Sequence, residues 1–431
     1  MEITGFDPGA PAAARPVRAR VATSAAFVAQ GLMFTVLLTH LPQFTDRYQV
    51  SEGTVTLIVL MVTVLAGVGS LLSEVLAGAT SSRTALRCGL LVIAVAGAAI
   101  GLAPGLLWFV LGFAVYGLGV GAVDAAGNMQ GVAVQHRYGR SIITSFHAAW
   151  SAAAIVGALY VAGGERLSVS LPGSILPVAA VVLVIALVAG PQLLPLDQPV
   201  AAPVLPVPVL PVQAGGEVHA DVPVEPGSSF SVTSGPILFL GLAMTCFWAV
   251  DSGVSNWSAL YLRDLLNAAD SMAALGYALY QATALFSRLT GDLAVRRLGA
   301  VTTVRAGAVI GTAGAALVVL APGPVLAIIG FGLAGLGLPV IAPLCFSAAG
   351  AAVRTPGILD SQQAARDDAA VDSVVARLNV FNYLGSLLGA VVIGGIASIP
   401  GSDLRIGFIV SIVLAGTVFF LAHAFAPAEN P

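Results

Sequence analysis

The sequence predicts an all-α membrane protein with twelve transmembrane helices arranged as two pseudo-symmetric bundles of six. Hydrophobic residues occupy 58% of the 431 positions and charged residues only 9%, which is far from the composition of soluble domains. Apolar stretches of about 20 residues, the length that crosses a bilayer core of about 30 Å, recur along the chain. Several patterns also occur twice, once in each half of the sequence.

The predicted spans follow one another with mostly short connections. Lipid offers no hydrogen bonds to the backbone, so each span is expected to be a helix. The spans are placed at 21–42, 53–77, 85–103, 106–131, 142–163, 175–194, 234–260, 271–291, 303–320, 325–349, 371–397 and 405–425.

The domain organisation follows from these spans. A cytoplasmic tail (1–20) precedes the first bundle (21–194), and a short cytoplasmic tail (426–431) follows the second bundle (234–425). The first apolar run lacks a cleavage pattern, which predicts an anchored span rather than a signal peptide. The connection 195–233 is rich in proline and valine, which blocks helix and favours polyproline II. A spacer between the bundles is favoured over a docking site for a proline-binding partner.

The orientation is predicted from arginine, because the chain has 18 arginines and no lysine. The arginines predicted on the cytoplasmic side are Arg15, Arg18, Arg20, Arg83, Arg87, Arg137, Arg140, Arg296, Arg297, Arg305, Arg354 and Arg366. The opposite side receives only Arg47, Arg166, Arg263 and Arg405. Arg288 and Arg377 are placed at inner helix ends. The positive-inside rule therefore predicts a protein of the cell inner membrane with both termini in the cytoplasm.

The composition also excludes some chemistry. A phosphate-binding loop of the GxxxxGK[ST] type and a Schiff-base cofactor both need a lysine, and no cofactor is expected. The net charge of −3 gives no general attraction for nucleic acid. The cysteines Cys88, Cys246 and Cys345 stand singly, and the histidines His40, His136, His219 and His423 lack the spacing of metal ligands.

Two sets of matching segments indicate a duplication. A glycine-rich motif at 112–119 (GFAVYGLG) recurs 218 residues later at 330–337 (GFGLAGLG), and glycines at 157–163 recur 232 residues later at 389–395. Glycine matches can arise by chance in a chain with 49 glycines, but a shared offset across several spans favours duplication. Parallel repeats of this kind are related by an axis along the membrane normal.

A resemblance to the major facilitator superfamily is carried by the segment 288–299 (RLTGDLAVRRLG). It is similar to the signature loop of that superfamily, G-D-x-x-x-R-[RK]-x-G. The segments 121–130, 145–151 and 251–264 resemble the bacterial branch that contains fucose permeases and uncharacterised inner-membrane transporters. The resemblance covers nearly the whole chain outside the tails and the linker.

The resemblance implies a gate at this loop. Its residues Gly291, Asp292, Arg296 and Arg297 are expected to form a charge latch between spans 8 and 9 that ties helix ends together in one state. The corresponding first-half loop, 74–83 (EVLAGATSSR), departs from the pattern because Gly78 stands at the acidic position. The gate is therefore expected to depend unequally on the two halves.

Intramembrane carboxylates are the first candidates for transport chemistry, because charged groups in a membrane usually face a cavity or a partner. Asp124 is predicted in the inner half of span 4, with Asn128 one turn away on the same face, and Asp251 in the outer half of span 7. The resemblance places both beside the central cavity, where they would bind protons or substrate. The alternative is a structural carboxylate bonded to a neighbouring helix.

Polar stripes supply the other candidates. His147, Trp150 and Ser151 share one face of span 5, and the spacing of 232 relates them to Asn379, Asn382 and Tyr383 of span 11. Both stripes are expected to face one cavity and to hydrogen-bond a polar solute, although interhelical bonding is an equal alternative for His147. Gln30 and Gln281 have lower weight, and Trp257 and Tyr261 are expected to anchor the outer membrane interface.

These observations and the resemblance together predict a secondary active transporter that moves a small polar solute across the membrane by alternating access, coupled to protons. An efflux pump for a drug or secondary metabolite is the alternative, although span 5 lacks the Gly-Pro-x-x-Gly-Gly signature of antiporters. A sensor or enzyme would need an appended domain or a catalytic pair, and neither is found. The expected partners are the solute, protons and lipid, with the protein acting as a monomer.

Overall fold

The computed structural model describes residues 14–195, 235–354 and 361–426. The predicted linker after Pro195, His219 and most of both predicted tails lie outside these residues. The first half contains the helices α1 (Ala14–Thr39), α2 (Leu41–Tyr48), α3 (Glu52–Ala79), α4 (Ser82–Leu102), α5 (Leu106–Tyr138), α6 (Ile143–Arg166) and α7 (Leu171–Val188). Serines at the N-caps of α3, α4 and α7 accept backbone hydrogen bonds and so fix where these helices begin.

The second half repeats this order. It contains α8 (Gly235–Leu260), α9 (Asp270–Leu298), α10 (Ala300–Leu320), α11 (Pro324–Gly337), α12 (Ile341–Ala352), α13 (Ser361–Ala397) and α14 (Leu404–Leu421). A π-helical turn, Tyr261–Leu265, extends α8. The predicted tenth span is interrupted between α11 and α12, where Pro339 has no backbone N–H to donate.

The helices confirm an all-helical membrane protein. Among the described residues, eleven stretches are long and apolar enough to cross a membrane, with α11 and α12 counted as one stretch. The helix α9 is the twelfth spanning element, and its polar residues, including Arg288 and Asp292, lower its hydropathy. The twelve predicted spans thus correspond to helices, most of which extend beyond the predicted bounds.

Within each half, glycine brings helices into backbone contact. A Cβ atom on Gly121 of α5 would collide with the carbonyl oxygen of Ala66 on α3. A Cβ atom on Gly389 of α13 would collide with that of Ala249 on α8. Small residues allow this close approach, and van der Waals contact drives helix association in a membrane.

Between the halves, α13 packs against α3 and α5, while α6 packs against α9 and α12. We call the side on which α3, α5 and α9 end and α6 begins the arginine-rich side, because most of the loop arginines lie there. The inter-half hydrogen bonds described below lie between this side and the middle of the helices.

Three placements from the sequence are wrong. Arg288 lies ten residues before the end of α9, and Arg377 lies sixteen residues after the start of α13, so neither is at a helix end. Both helices continue past their predicted bounds. Tyr261 is fully buried and donates a hydrogen bond to the carbonyl of Val318, so it lies inside the bundle rather than at the lipid interface.

Candidate functional site

Asp124 lies near the middle of α5 and joins three helices. Its carboxylate accepts hydrogen bonds from the buried amide of Gln30 on α1 and from the hydroxyl of Tyr383 on α13. Gln30 belongs to the same half and Tyr383 to the other half, 259 residues along the chain. Charge-assisted bonds of this type are about twice as strong as neutral ones. The ionised carboxylate therefore links the two halves.

Asn128 extends this polar face by one turn. Its side chain donates to the carbonyl of Asp124, and its amide oxygen lies 3.1 Å from the Nε2 atom of His147 on α6. The rings of Phe27 and Phe346 flank His147, with centroids 5.2 and 6.4 Å away. The α5 face therefore contacts His147 of the first predicted stripe and Tyr383 of the second.

The remaining stripe residues have different surroundings. Asn379 is fully buried and donates to Ser70 of α3, 2.9 Å away, while Asn382 donates back to Asn379. Trp150 packs beside Phe34 of α1, with ring centroids 5.8 Å apart. The structure thus connects His147, Asn379, Asn382 and Tyr383 to polar partners and places Trp150 in an aromatic contact.

Asp251 occupies a second polar position, on α8. Its carboxylate accepts a 2.8 Å hydrogen bond from Tyr280 of α9, a fully buried side chain. Both residues belong to the second half, so this contact does not cross between the halves. Gln281 donates to Tyr277 instead and lies outside this contact.

Arg288 is a site residue that sequence reasoning missed. Its guanidinium donates from Nη1 to the hydroxyl of Ser151 on α6, 2.6 Å away, across the two halves. Only 6% of Arg288 is exposed, so a charge lies in the interior of the protein. Its place within the signature-like segment suggested a helix end, and only its rotation about α9 shows that it points inwards.

Asp292 closes the arginine-rich side by capping a helix of the other half. One carboxylate oxygen accepts from the hydroxyl of Ser141 at 2.9 Å and from the backbone N–H of Thr144 at 3.1 Å. The other oxygen accepts from the N–H of Ser145 at 3.0 Å. These N–H groups start α6 and have no partner within the helix, so a carboxylate is favoured there.

Other groups complete this contact. Arg296 donates to the carbonyl of Ser141, while Arg297 is exposed. Gln135 of α5 accepts from the N–H groups of Ile142 and Ile143 and donates to Ser347 of α12. Gly291 is buried against Thr144 and Val340. All four predicted gating residues lie in the last turns of α9, because the helix continues to Leu298 rather than ending in a loop.

The first half contributes a different inter-half contact. Glu74 of α3 accepts from the hydroxyl of Ser373 at 2.7 Å and pairs with the guanidinium of Arg377 at 2.8 Å. A cavity of about 380 Å³ adjoins this pair, lined among others by Gly78, Asp368 and Asp372. The position expected to be acidic, Gly78, therefore borders this cavity and makes no such pair.

Residues 23–359 match the family model of the Major Facilitator Superfamily. This chain belongs to that superfamily. It is 29% identical over 404 residues to an uncharacterised transporter of Sinorhizobium fredii, with 93% of this chain and 96% of that protein covered. It is 26% identical over 402 residues to an uncharacterised MFS-type transporter of Yersinia pestis, covering 92% and 93% of the two chains.

Solved structures of this superfamily share the fold. The chain matches the transporter FucP in its outward conformation with a TM-score of 0.71 and 16% identity, covering 94% of this chain and 98% of that one. An N162A form of the E. coli fucose:proton symporter FucP matches with a TM-score of 0.68 and 15% identity, at the same coverage. The protein is therefore a multi-pass membrane transporter of the secondary type, and its family consists of transporters rather than enzymes.

Proposed function

We propose that this transporter moves a small polar solute by alternating access coupled to protons, with Asp124 as the coupling group. The observation that carries the proposal is the contact of Asp124 with Gln30 in its own half and Tyr383 in the other. A proton on Asp124 removes the charge that strengthens the bond to Tyr383. Protonation then favours separation of the halves at this point.

The surrounding side chains support a polar solute. Asn128, His147 and Asn379 provide amide and imidazole groups within two turns of Asp124, and such groups orient a hydroxylated ligand. The E. coli neighbour is a fucose:proton symporter, which agrees with both parts of the proposal. Asp251, bonded to Tyr280, is proposed as a second proton-binding group.

The direction of conformational change is part of the proposal. The inter-half bonds of Asp292, Glu74 and Gln135 hold the arginine-rich side closed. Release of Tyr383 from Asp124 removes one of the contacts that lie deeper in the same interface. Protons are therefore expected to favour the conformation that opens the arginine-rich side.

The test measures this conformational equilibrium against pH in purified protein, by spin-label distances across the arginine-rich side. The wild type is expected to open that side at acidic pH. Asp124→Asn removes the charge and should leave the equilibrium independent of pH, shifted towards opening by about 1 kcal/mol, or about fivefold in the conformational ratio.

The control variant is Asp46→Asn, which removes an exposed carboxylate on α2. It should behave like the wild type. An Asp124→Asn protein that keeps the full pH response contradicts the coupling role of Asp124. Once a driven solute is identified, Asp251→Asn should abolish pH-gradient-driven transport in proteoliposomes while exchange at equal pH continues.

A further inference from the structure

Arg288 carries a buried charge without a buried counter-charge at bonding distance. The ion pairs found among the described residues involve Arg263, Arg354 and Arg377, and Arg288 forms none. Its hydrogen bond goes to the neutral hydroxyl of Ser151, and its Nε atom is buried without a partner. The guanidinium thus keeps donor capacity that the protein does not use.

The groups around Arg288 do not fill this capacity. Asp251 of α8 lies within electrostatic range, but its carboxylate is bonded to Tyr280 and is not paired with the guanidinium. His147 of α6, the other titratable group on that facing helix, adds no negative charge. The Ser151 hydroxyl donates onward to the carbonyl of His147 and so fixes the guanidinium between the two halves.

A buried ion without a partner is costly, because desolvation is repaid only by a counter-ion in good geometry. An interior arginine in this condition is therefore expected to receive its partner from outside the chain. The guanidinium presents a planar fork of donors that matches the two oxygens of a carboxylate or phosphate. Its depth, about 15 Å from the end of α9, places it in the middle of the protein rather than at a lipid headgroup.

We propose that Arg288 binds an anionic group of the transported solute, a carboxylate or a phosphate, so that the substrate is a small polar organic anion. This inference rests on the proposed function and specifies its substrate class. Ser151 positions the guanidinium, and the polar groups around Asp124 contact the neutral part of the solute. Asp251 lies close enough to compete with the anion for Arg288, which links anion binding to the charge of that carboxylate.

The test uses matched solutes that differ only in charge. Thermal unfolding of the purified protein is measured with glucose, glucuronate and glucose phosphate, and with glycerol, glycerate and glycerol phosphate, at equal ionic strength set with sodium chloride. The anionic members are expected to raise the melting temperature more than the neutral ones. The carboxylate and phosphate arms show which anion fits.

Arg288→Gln should remove this preference and weaken anion binding about tenfold or more, whereas Arg288→Lys should keep part of it. Arg305→Gln is the matched control, since Arg305 is exposed beside the Phe419 ring and loses the same charge. Equal stabilisation by neutral and anionic members, an anion preference that survives in Arg288→Gln, or no stabilisation by any anion overturns the proposal.

A second readout needs no solute. If Arg288 serves a ligand, Arg288→Gln protein without solute should melt at or above the wild-type temperature, because the buried charge has no internal partner. Melting well below the Arg305→Gln control would make Arg288 a structural residue and overturn the inference. Neutral solutes that stabilise every variant, with the pH response of Asp124 intact, would leave the proposed function standing without its anionic substrate.

Discussion

On the arginine-rich side, Asp292 of the second half and Glu74 of the first half each cross to the opposite half and accept a hydrogen bond from a serine. The two serines, Ser141 and Ser373, are 232 residues apart, which is the spacing that relates the matching segments of these helices. The acids are not equivalent. The signature position of Asp292 corresponds to Gly78, and Glu74 lies one helical turn earlier on α3.

The difference follows from the helix that each acid meets. The helix α6 begins at Ile143, so Asp292 finds free N–H groups at its first turn. The helix α13 begins at Ser361, twelve residues before Ser373, so the N–H groups near Ser373 already bond within the helix. An acid there needs a side-chain donor, and Arg377 provides it. The departure in the first-half loop thus reflects the longer helix across the interface.

The largest effect is expected at Asp292. Asp292→Ala leaves two backbone N–H groups and Ser141 without their acceptor, and should shift the conformational balance towards opening by roughly 3 kcal/mol, more than a hundredfold. Asp292→Asn keeps an acceptor and should have a smaller effect. The measurement is maleimide labelling of a cysteine at Thr144, a fully buried position, after replacement of Cys88, Cys246 and Cys345. Labelling at the wild-type rate in Asp292→Ala would contradict the capping role.

A smaller effect is expected at the Glu74–Arg377 pair. The side chains are 19% and 41% exposed, so solvent screens the pair, and Glu74→Gln should shift the same balance by about 0.5–1 kcal/mol. High salt should reduce this difference further. Combining Glu74→Gln with Arg377→Gln should add little to the single changes, since the pair is already broken. A shift as large as that of Asp292→Asn would show that the halves contribute equally.

The smallest effect is expected when the missing acid is restored. Gly78→Asp fits sterically, because a Cβ atom there meets nothing within 4 Å. No helix begins opposite it, and the adjoining cavity already holds Asp368 and Asp372, so the new carboxylate should open the contact by a few tenths of a kcal/mol. Gly78→Asn, without the charge, is the control in the same labelling assay. Slower labelling in Gly78→Asp than in Gly78→Asn would show that an acid at this position is sufficient for the gate.

The fold was largely predictable because helix formation in lipid is a local requirement. Apolar length alone located eleven spans, and the polar span α9 was found through its apolar flanks and its signature-like segment. Helix ends were less predictable. Polar residues continue α9 to Leu298 and begin α13 at Ser361, and hydropathy gives no signal for such extensions.

The candidate site was predictable by residue type but not by partner. Asp124 and Tyr383 were both singled out, yet their contact joins positions 259 residues apart and depends on how α5 and α13 are rotated. Arg288 was placed at a helix end because its charge matched the positive-inside pattern. Its burial depends on the α6 surface it faces, which no local pattern reports. The functional roles of these residues stay predictions.

The backbone contacts at Gly121 and Gly389 have a mechanical consequence. Helices joined through glycine cannot separate or slide without losing contacts that lipid does not replace, so each half resists deformation. The surfaces between the halves are joined instead by hydroxyl, amide and carboxylate groups, for which water is an adequate substitute. Conformational exchange therefore trades one set of hydrogen bonds for another with little net heat, and the stiffness of each half confines the motion to a rocking of two solid pieces about their wet seam.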